Sequence, residues 1–297
     1  MTKRVFMVGC SGLVGSRLTK LLLENNFVVF GVRGHKQCLI NHINHFCHKI
    51  DLLNSDKSLN LLELKPDIMV HAAWITTPGV FWESPVNNKW VSASKRIIQE
   101  FKASGGKYLV VTSTCAEYSW DTQELLSEDS NVNPQSNYGK SKLALLKWVR
   151  DYDIPFLWTR IFFQFGLNEP SGRLIPSLID SLLVGKEFEV QNLHDVRDFI
   201  YIKDVVNLLN SLIYKEHLGI INIGTGYATE ISSITQLVAD LMDRKELLIN
   251  RASTQPPSFV VSNSNKLISL VGNYSWTPIR KAILETIESR SLSVFGP

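Results

Sequence analysis

The feature that most constrains the fold is an alternation of short apolar runs with amphipathic segments. The apolar runs, rich in β-branched residues, are VFMV (5–8), FVVFGV (27–32), DIMVHAA (67–73), YLVVTS (108–113) and FLWTRIFF (156–163). Segments with helical spacing lie between them, at 13–25, 86–103 and 139–150. This alternation predicts an α/β fold with a doubly wound parallel sheet. Ligands of such sheets bind where the strands end, so the residues after each run are searched first.

The regular alternation ends near Gly166, where GLNEPSGRLIP predicts a loop followed by less regular helical and strand segments. A smaller C-terminal α/β lobe is expected there, and RDFIYIKDVV indicates a return of the chain to the first domain. We expect a dinucleotide-binding domain at 1–165, with 196–215 returning to it, and a substrate-binding domain at 166–195 and 216–297.

The composition excludes several classes of protein. With 44% hydrophobic residues, 20% charged residues and a net charge of +3, the chain is too weakly basic to indicate nucleic acid. No apolar stretch approaches the ~20 residues of a membrane span, and the N-terminal apolar run is too short for a secretory signal. The cysteines lack paired spacing, which is typical of a reducing compartment. We expect a cytoplasmic protein without a nucleic-acid or membrane partner.

One segment, CLINHINHFCHK, is rich in metal-binding residue types. Its cysteines and histidines are Cys38, His42, His45, Cys47 and His48. Their spacing matches no zinc pattern, and the interleaved Ile40, Ile43 and Phe46 predict one packed face. The sequence therefore predicts no metal site, with metal binding as the open alternative.

A glycine-rich turn, GCSGLVG, follows the first apolar run directly. Gly9, Gly12 and Gly15 permit a tight turn and close approach of the backbone to a pyrophosphate, and the next helix points its N-terminus at the negative charge. Because the turn lies between a predicted strand and an amphipathic helix, it predicts dinucleotide binding rather than a purely structural turn. The other cofactor contacts expected in this turn are Ser11, Leu13 and Val14.

The end of the second strand predicts which dinucleotide binds. An acidic residue there accepts from a free ribose 2′-hydroxyl, whereas a basic residue favours a 2′-phosphate. Arg33 ends this strand with no Asp or Glu nearby, which favours NADP(H), with NAD(H) as the alternative. Asp51 and Leu52 are placed to meet the adenine, and Ala72 and Ala73 end the next strand beside the cofactor.

The segment NPQSNYGKSK places a tyrosine four residues before a lysine where a helix begins. Apolar residues at helical spacing follow in KLALLKWV, so Tyr138 and Lys142 should share one helical face. An ammonium at that distance lowers the pKa of a phenol and makes it a usable acid. Taken alone, the pair also fits a partly buried tyrosine beside a solvated lysine.

Nine motifs, in order over nearly the whole chain, resemble the extended short-chain dehydrogenase/reductase family of nucleotide-sugar epimerases, dehydratases and ketoreductases. They are GCSGLVG, DL, HAA, STCAEY, NYGKSK, RIFFQFG, RLIP, RDFIYIKDV and NIGTG. The resemblance implies a Rossmann sheet, a nicotinamide cofactor, a nucleotide diphosphate sugar as substrate, and a homodimer.

The resemblance also implies a catalytic set of Thr114, Tyr138 and Lys142. Tyr138 would be the acid/base, and Lys142 would hold the nicotinamide ribose as a further cofactor-binding residue. Thr114, assigned from its place four residues before Tyr118, would hydrogen-bond the reacting oxygen. Hydride transfer to a ketone creates an alkoxide, which a positioned phenol protonates and a hydroxyl donor stabilises.

The chain departs from the family pattern at two places. Dehydratases of the family carry an Asp-Glu pair directly after the catalytic threonine, but this chain has Cys115 and Ala116, which disfavours dehydration. Glu117 is close enough to leave that alternative open. Phe163 stands where the family often has Asn, and Gln164 replaces it only if the backbone shifts.

On the substrate side, Arg197 in RDFIY matches the position where the family holds the nucleotide diphosphate, and its planar guanidinium suits that anion. Asp198 is expected to be a structural partner. Arg173 is either a second contact to the nucleotide or a solvated surface arginine. Thr76 and Cys115 complete the expected substrate-binding residues. The aromatic loop WITTPGVFWESP either covers the sugar or nicotinamide or is simple packing.

The leading functional hypothesis is an NADPH-dependent ketoreductase of a nucleotide-linked 4-keto-6-deoxy sugar, making a deoxysugar for surface polysaccharide. It rests on the Thr-Tyr-Lys set, the missing Asp-Glu pair and Arg33. A nucleotide-sugar C4 epimerase with retained NAD uses the same residues and is the alternative. A non-catalytic NADP-binding regulator is less favoured, because Tyr138 and Lys142 are both present.

Overall fold

The computed structural model describes residues 2–54, 59–251 and 256–295. Within these residues the strands are β1 (Arg4–Val8), β2 (Val28–Arg33), β3 (His45–Lys49), β4 (Ile68–His71), β5 (Tyr108–Thr114), β6 (Phe156–Ile161), β7 (Phe163–Phe165), β8 (Phe188–Val190), β9 (Val196–Arg197), β10 (Phe199–Tyr201), β11 (Gly219–Ile223), β12 (Thr229–Glu230), β13 (Leu248–Asn250) and β14 (Phe259–Val260). The helices are α1 (Leu13–Glu24), α2 (Leu61–Leu64), α3 (Val86–Ala103), α4 (Asn137–Asp151), α5 (Leu174–Leu183), α6 (Ile202–Tyr214), α7 (Ile231–Met242), α8 (Asn265–Val271) and α9 (Ile279–Phe295). Short 3₁₀ turns lie at Cys115–Glu117 and Lys245–Leu247.

The main sheet has seven strands among the described residues, in the order β11-β6-β5-β4-β1-β2-β3. Each pair of neighbours in the series β6-β5-β4-β1-β2-β3 is parallel. The chain builds outward from β1 through β2 and β3, and then continues on the other side of β1 with β4, β5 and β6. This confirms the predicted Rossmann-like α/β sheet. The order reverses between β1 and β4, and ligands of such sheets bind at the carboxyl ends of the strands at this switch point.

The central strands are apolar on both faces because helices cover the sheet on both sides. Residues 5–8 of β1 and 68–70 of β4 are almost fully buried, as expected for the interior of a parallel sheet. The core around them takes apolar side chains from strands and helices alike. Its members include Phe6, Val8, Met69, Ile97, Phe101, Leu109, Leu145 and Trp158.

The structure has two compact units. Unit 1 comprises Met1–Tyr118, Asn131–Ile161 and Val206–Ile221, and unit 2 comprises Ser119–Ser130, Phe162–Val205 and Asn222–Pro297. Unit 1 contains most of the seven-stranded sheet, whereas unit 2 contains small sheets such as β12-β9-β14. Which unit binds the dinucleotide and which binds the substrate stays a prediction.

The β2–β3 region differs from one sequence-based interpretation. Ile43 is 86% exposed and Phe46 is 46% exposed, so the predicted packed face of Ile40, Ile43 and Phe46 is wrong. The reason is that His45–Lys49 forms an edge strand rather than a helix, and only Phe46 finds a ring to stack on, that of Phe30 at 5.4 Å. In the described part of the chain, no helix is long and apolar enough to span a bilayer.

Candidate active site

The glycine turn after β1 brings the backbone close to the neighbouring strand. Gly9 has φ +91°, and a Cβ there would lie 2.9 Å from the backbone of Ala72 and Ala73. A Cβ on Gly15 would overlap the Gly9 carbonyl oxygen. Only glycine therefore permits this approach of β1, α1 and the end of β4.

The same turn presents the N-terminus of α1. Gly12 caps this helix without a side-chain hydrogen bond, and the first turn contains no acidic residue. Leu13 and Val14 begin the helix, and Ser11, just before it, is buried. A helix N-terminus with this backbone fits the pyrophosphate of a dinucleotide, so the residues present suit the expected cofactor.

Positive side chains gather at the carboxyl ends of β2 and β3. Arg33 ends β2 half-buried, and its guanidinium donates to the carbonyl oxygens of Gly34 (3.3 Å) and Lys36 (3.4 Å). Lys49, its partner in the β2–β3 register, is exposed, as is Lys36. This edge of the sheet is therefore cationic.

The residues predicted to meet the adenine differ in exposure. Leu52 is buried, and its carbonyl accepts from Arg96 at 2.8 Å. Asp51 is exposed, and hydrogen bonds from Asn54 and from the Leu53 N–H lower the pKa of its carboxyl. The sequence-predicted adenine contact of both residues stays a prediction.

Thr114 ends β5 and begins the turn Cys115–Glu117. Its Oγ1 accepts from the Ala116 N–H at 3.1 Å. Gly139, in the first turn of α4, packs directly on this turn, because a Cβ there would overlap the Ala116 carbonyl oxygen. The close packing brings the start of α4, with Tyr138, against the end of β5, with Thr114.

Helix α4 begins where the sequence indicated. Ser136 caps it by accepting from the Gly139 N–H at 3.1 Å, and the helix continues to Asp151. Tyr138 lies in the first turn, where its N–H donates to the Trp82 carbonyl at 2.9 Å. The rings of Phe81 and Trp82 stand edge-on to the Tyr138 ring, at 5.0 and 5.9 Å. The aromatic loop thus orients the phenol, which is half-buried.

Lys142 lies one helical turn after Tyr138 and is only 2% exposed. Its Nζ donates to the Thr112 carbonyl at 2.9 Å and lies 4.0 Å from the centre of the Trp74 ring. Burial lowers the pKa of Lys142 to about 7, while the charge of Glu117 opposes that shift. This burial excludes the alternative interpretation of the pair, in which the lysine was solvated.

Glu117 is fully buried and is held by three donors. Its Oε1 accepts from Trp158 Nε1 at 2.9 Å and from the Ser113 hydroxyl, and its Oε2 accepts from Arg160 Nε at 2.8 Å. Arg160 lies beside Ser113 in the β5–β6 register. The carboxylate is therefore one half of a buried ion pair, and it is not disposed as a second acid or base beside Thr114.

An aromatic group at the end of β4 surrounds Lys142. His71 is fully buried, and its Nε2 lies 2.9 Å from the Ser94 hydroxyl. Burial, assisted by the charge of Lys142, lowers the pKa of His71 to about 3 and keeps the ring neutral. The Trp74 and Trp90 rings stack at 5.9 Å, and Trp74 Nε1 donates to Asn87 at 2.8 Å.

In unit 2, Arg197 is buried and already oriented by its neighbours. Its Nη2 donates to Asp195 (2.6 Å) and to Ser258 Oγ (2.8 Å), and the guanidinium lies 5.2 Å from the centre of the Phe163 ring. Asp198 is fully buried, where it accepts from Thr225 Oγ1 at 2.6 Å and from Ser262. These contacts fit the structural role expected for Asp198.

The remaining predicted substrate residues vary in exposure. Arg173 precedes α5 and lies 3.6 Å from Glu169, so it is ion-paired rather than simply solvated. Thr76 is exposed and Cys115 is buried. The Gln164 side-chain oxygen is buried without a hydrogen-bond partner among the described residues. Gln164 thus has an unused acceptor beside Phe163, where the family often has Asn.

Comparison with models of protein families identifies the family to which this chain belongs. Residues 5–224 match the model of the NAD dependent epimerase/dehydratase family. The chain belongs to this family. It is therefore an NAD(P)-dependent enzyme of the extended short-chain dehydrogenase/reductase type, as the motifs predicted, and binds a nicotinamide cofactor.

Individual relatives are distant but cover most of the chain or nearly all of it. This epimerase/dehydratase family member is 28% identical to a GDP-6-deoxy-D-talose 4-dehydrogenase of Aggregatibacter actinomycetemcomitans, over 98% of this chain and 99% of that protein. It is 25% identical to a GDP-6-deoxy-D-mannose reductase of Pseudomonas aeruginosa, over 81% of each chain. A UDP-N-acetylglucosamine 4-epimerase structure from Methanobrevibacter ruminantium superposes with a TM-score of 0.86 at 20% identity, over 98% of this chain and 99% of that one. At that identity the superposition establishes the fold.

Two features of this family member were not found from the sequence. One is the Glu117–Arg160 ion pair. The sequence did contain a signal for it, because Arg160 stands within the apolar run FLWTRIFF and a charge in a buried strand requires a partner. The other is the neutral His71, which the sequence placed in HAA without a role. Its position beside Lys142 depends on the β4–β5 pairing and on α3, which spacing alone does not reveal.

Proposed function

We propose that this enzyme uses NADPH to reduce the C4 ketone of a nucleotide-linked 4-keto-6-deoxy sugar, producing a deoxysugar for surface polysaccharide. The observation that carries the proposal is the environment of Thr114. Tyr138 and Lys142 lie on the helix packed against its turn, whereas Glu117 is bound to Arg160. In this proposal Tyr138 supplies the proton that follows hydride addition. Among the described residues of the turn Cys115–Glu117, the one carboxylate is held by Arg160, so it does not serve as the extra acid or base that dehydration needs.

The named activities of two relatives support this substrate class. One is a 4-dehydrogenase of GDP-6-deoxy-D-talose and the other a GDP-6-deoxy-D-mannose reductase. Oxidation of the C4 alcohol of such a sugar is the reverse of reduction of its 4-ketone. A GDP-linked 4-keto-6-deoxyhexose is therefore the first substrate to test.

Each catalytic residue has a distinct task in the proposal. The bound nicotinamide supplies the hydride. The Tyr138 hydroxyl donates a proton to the oxygen on which negative charge develops, and the Thr114 hydroxyl donates a hydrogen bond to it. Lys142, whose Nζ is fixed by the Thr112 carbonyl, holds the nicotinamide ribose and favours the ionised form of the phenol.

NADPH rather than NADH is proposed because of the charge at the ends of β2 and β3. Arg33, Lys36 and Lys49 are positive, and neither β2 nor the following residues 34–38 carry a carboxylate for a free 2′-hydroxyl. A 2′-phosphate would be stabilised by such a group of cations. Asp51 and Leu52 would then meet the adenine, and Ala72 and Ala73 would flank the cofactor.

We further propose that unit 1 binds the dinucleotide and that unit 2 binds the nucleotide sugar. In unit 2, Arg197 would hold the diphosphate, and its fixed guanidinium would lose little entropy on binding. Arg173 would be a second contact to the nucleotide. Thr76 and Cys115, which belong to unit 1, would contact the sugar. The homodimer and the cytoplasmic location expected from the sequence stay predictions.

A C4 epimerase is the second candidate, since it uses the same threonine, tyrosine and lysine. A relative described as an uncharacterized UDP-glucose epimerase of Bacillus subtilis, 26% identical over 82% of this chain and 84% of that protein, favours it. Such an enzyme returns the hydride to the sugar and leaves its cofactor unchanged. NAD that stays bound to the protein through purification would distinguish the epimerase from the reductase.

The test is NADPH oxidation by the purified enzyme, with GDP-, dTDP-, UDP- and CDP-linked 4-keto-6-deoxy sugars each added in turn. Stoichiometric NADPH consumption with one of them supports the reductase, and a Tyr138→Phe variant should lose about 10²- to 10⁴-fold in turnover. Unchanged NADPH with every keto sugar, together with inversion of a nucleotide sugar without added cofactor, would establish the epimerase instead.

A further inference from the structure

Three cysteines and one histidine of unit 1 converge at one point. Cys10, Cys38, His45 and Cys47 each direct one ligand atom into a region where all four lie within 4.8 Å of one another. The Sγ atoms of Cys10 and Cys47 are 3.4 Å apart, and Cys38 Sγ lies 4.0 Å from His45 Nε2. Cys10 belongs to the glycine turn after β1, whereas the others belong to the β2–β3 connection and to β3.

The distances suit a tetrahedral metal ion. Zinc bonds of about 2.3 Å to sulfur and about 2.0–2.1 Å to nitrogen place neighbouring ligand atoms about 3.5–3.8 Å apart. The two measured separations bracket this range, and small side-chain rotations bring the wider pairs into it. Three thiols and one imidazole form a Cys₃His set, which is typical of structural zinc.

The strand beneath the cluster leaves room for it. Gly31 lies in the buried part of β2, and a Cβ there would stand 2.7 Å from Cys10 Sγ and 3.2 Å from His45 Nε2. Any larger residue at this position would displace two of the four ligands. The glycine thus keeps one side of the cluster open.

The histidine is oriented as a metal ligand. Its Nδ1 lies 3.1 Å from the Ile40 carbonyl oxygen. Because a carbonyl only accepts, Nδ1 carries the proton, and the lone pair of Nε2 points towards the sulfurs. Zinc-binding histidines are commonly fixed in this way by a second hydrogen bond.

The β2–β3 connection, residues 34–44, has little apolar packing of its own. None of residues 34–44 is buried, and this stretch contains neither helix nor strand. The large apolar side chains of Leu39 and Ile43 are 88% and 86% exposed. A structural metal would tie such a weakly packed segment to the sheet.

We propose that Cys10, Cys38, His45 and Cys47 bind one zinc ion, which ties the β2–β3 connection to the glycine turn. With four protein ligands the coordination is closed, so the ion is structural. On binding, the three thiols release their protons to solvent and water ligands leave the zinc ion. Three zinc–sulfur bonds and one zinc–nitrogen bond replace them, with no change of oxidation state. The site is separate from Thr114, Tyr138 and Lys142, and it does not depend on which sugar the enzyme reduces.

The first experiment measures the metal content of the full-length protein, purified under reducing conditions without a metal-chelating resin. Inductively coupled plasma mass spectrometry should find about one zinc ion per chain. Cys38→Ser and Cys47→Ser should each lower zinc affinity at least about 100-fold, since loss of an outer partner alone typically costs 10- to 100-fold. Cys115→Ser, which changes the cysteine outside the cluster, should retain the zinc.

A second measurement uses only the wild-type protein, so it tests the proposal even if the variants fail to fold. Cobalt added to the zinc-depleted wild-type protein should give the thiolate charge-transfer and tetrahedral ligand-field absorption of a Cys₃His site. Stoichiometric zinc should abolish this absorption. A protein that contains no zinc and gives no such cobalt spectrum would overturn the proposal, as would copper or iron in its place. A disulfide between Cys10 and Cys47 in the reduced preparation would overturn it as well.

Discussion

Glu117 and Arg160 form an ion pair in which both side chains are almost wholly buried, with Arg160 Nε 2.8 Å from Glu117 Oε2. A buried pair of this kind contributes little net stability, but removal of one partner leaves the other charge without compensation. The arrangement also withdraws from chemistry the only carboxylate of the turn that follows Thr114.

We therefore predict that Glu117→Gln lowers the free energy of unfolding by about 3–5 kcal/mol, because the positive charge of Arg160 stays buried without a carboxylate to balance it. Urea denaturation of the variant measures this change. Glu124→Gln, at an exposed carboxylate, is the control and should change stability by less than about 0.5 kcal/mol. Equal stability of the two variants would show that the ion pair is not maintained in solution.

Gly139→Ala should disrupt the contact between α4 and the turn after β5. The added methyl group would overlap the Ala116 carbonyl oxygen, so the helix must move away from Thr114. A displacement of about 1 Å costs about 100-fold in turnover when it misplaces catalytic groups. Lys140→Ala, at the next and exposed position, should keep nearly full activity. Wild-type turnover in Gly139→Ala would contradict the packing described.

Lys142→Met tests the low pKa of the buried lysine. The folded-state pKa of about 7 lies below the ordinary lysine pKa of 10.5, so between these pH values the unfolded chain binds the additional proton. This residue's contribution therefore makes the wild type more stable as the pH rises through that window. The stability advantage of Lys142→Met over wild type should be largest below pH 7 and shrink towards pH 10, at about 1.4 kcal/mol for each unit of pKa shift.

Unfolding free energies of both proteins, measured from pH 6 to pH 9.5, check this difference. Lys140→Met provides the matched control, because its side chain is exposed on the same helix. A constant difference between Lys142→Met and wild type over this range would mean that Lys142 keeps an ordinary pKa.

Arg33→Ala tests the proposed choice of cofactor. If Arg33 binds a 2′-phosphate, the variant should lose about 10- to 100-fold in NADPH affinity, the usual effect of one charge-assisted hydrogen bond. NADH affinity should change little, and calorimetric titration with both dinucleotides measures the two effects. Equal losses for NADPH and NADH would assign Arg33 a structural role at the end of β2.

Much of the fold could be predicted because long periodic segments determine their own structure. Helix 86–103 has the predicted bounds, and five strands of the sheet (β1, β2, β4, β5 and β6) have ends within one or two residues of the five apolar runs. The shared helical face of Tyr138 and Lys142 could be predicted for a similar reason, whereas their candidate catalytic role came from the resemblance to the family. The structure that such local patterns specify does not depend on contacts with distant parts of the chain.

Features that depend on residues distant in sequence could not be predicted in this way. The edge strand His45–Lys49 was missed, because the spacing of Ile40, Ile43 and Phe46 resembles a helical face. The cluster of Cys10 with Cys38, His45 and Cys47 was missed because no zinc pattern spans residues 28 positions apart. It forms only when β1, β2 and β3 pair in order.

The most direct test of the proposed reaction follows the hydride itself. The enzyme would be incubated with a nucleotide-linked 4-keto-6-deoxy sugar and NADPH carrying deuterium at C4 of the nicotinamide. The account predicts one deuterium at C4 of the sugar product for each NADP⁺ formed. A product without deuterium, obtained by inversion of the sugar with no net oxidation of the added NADPH, would contradict it.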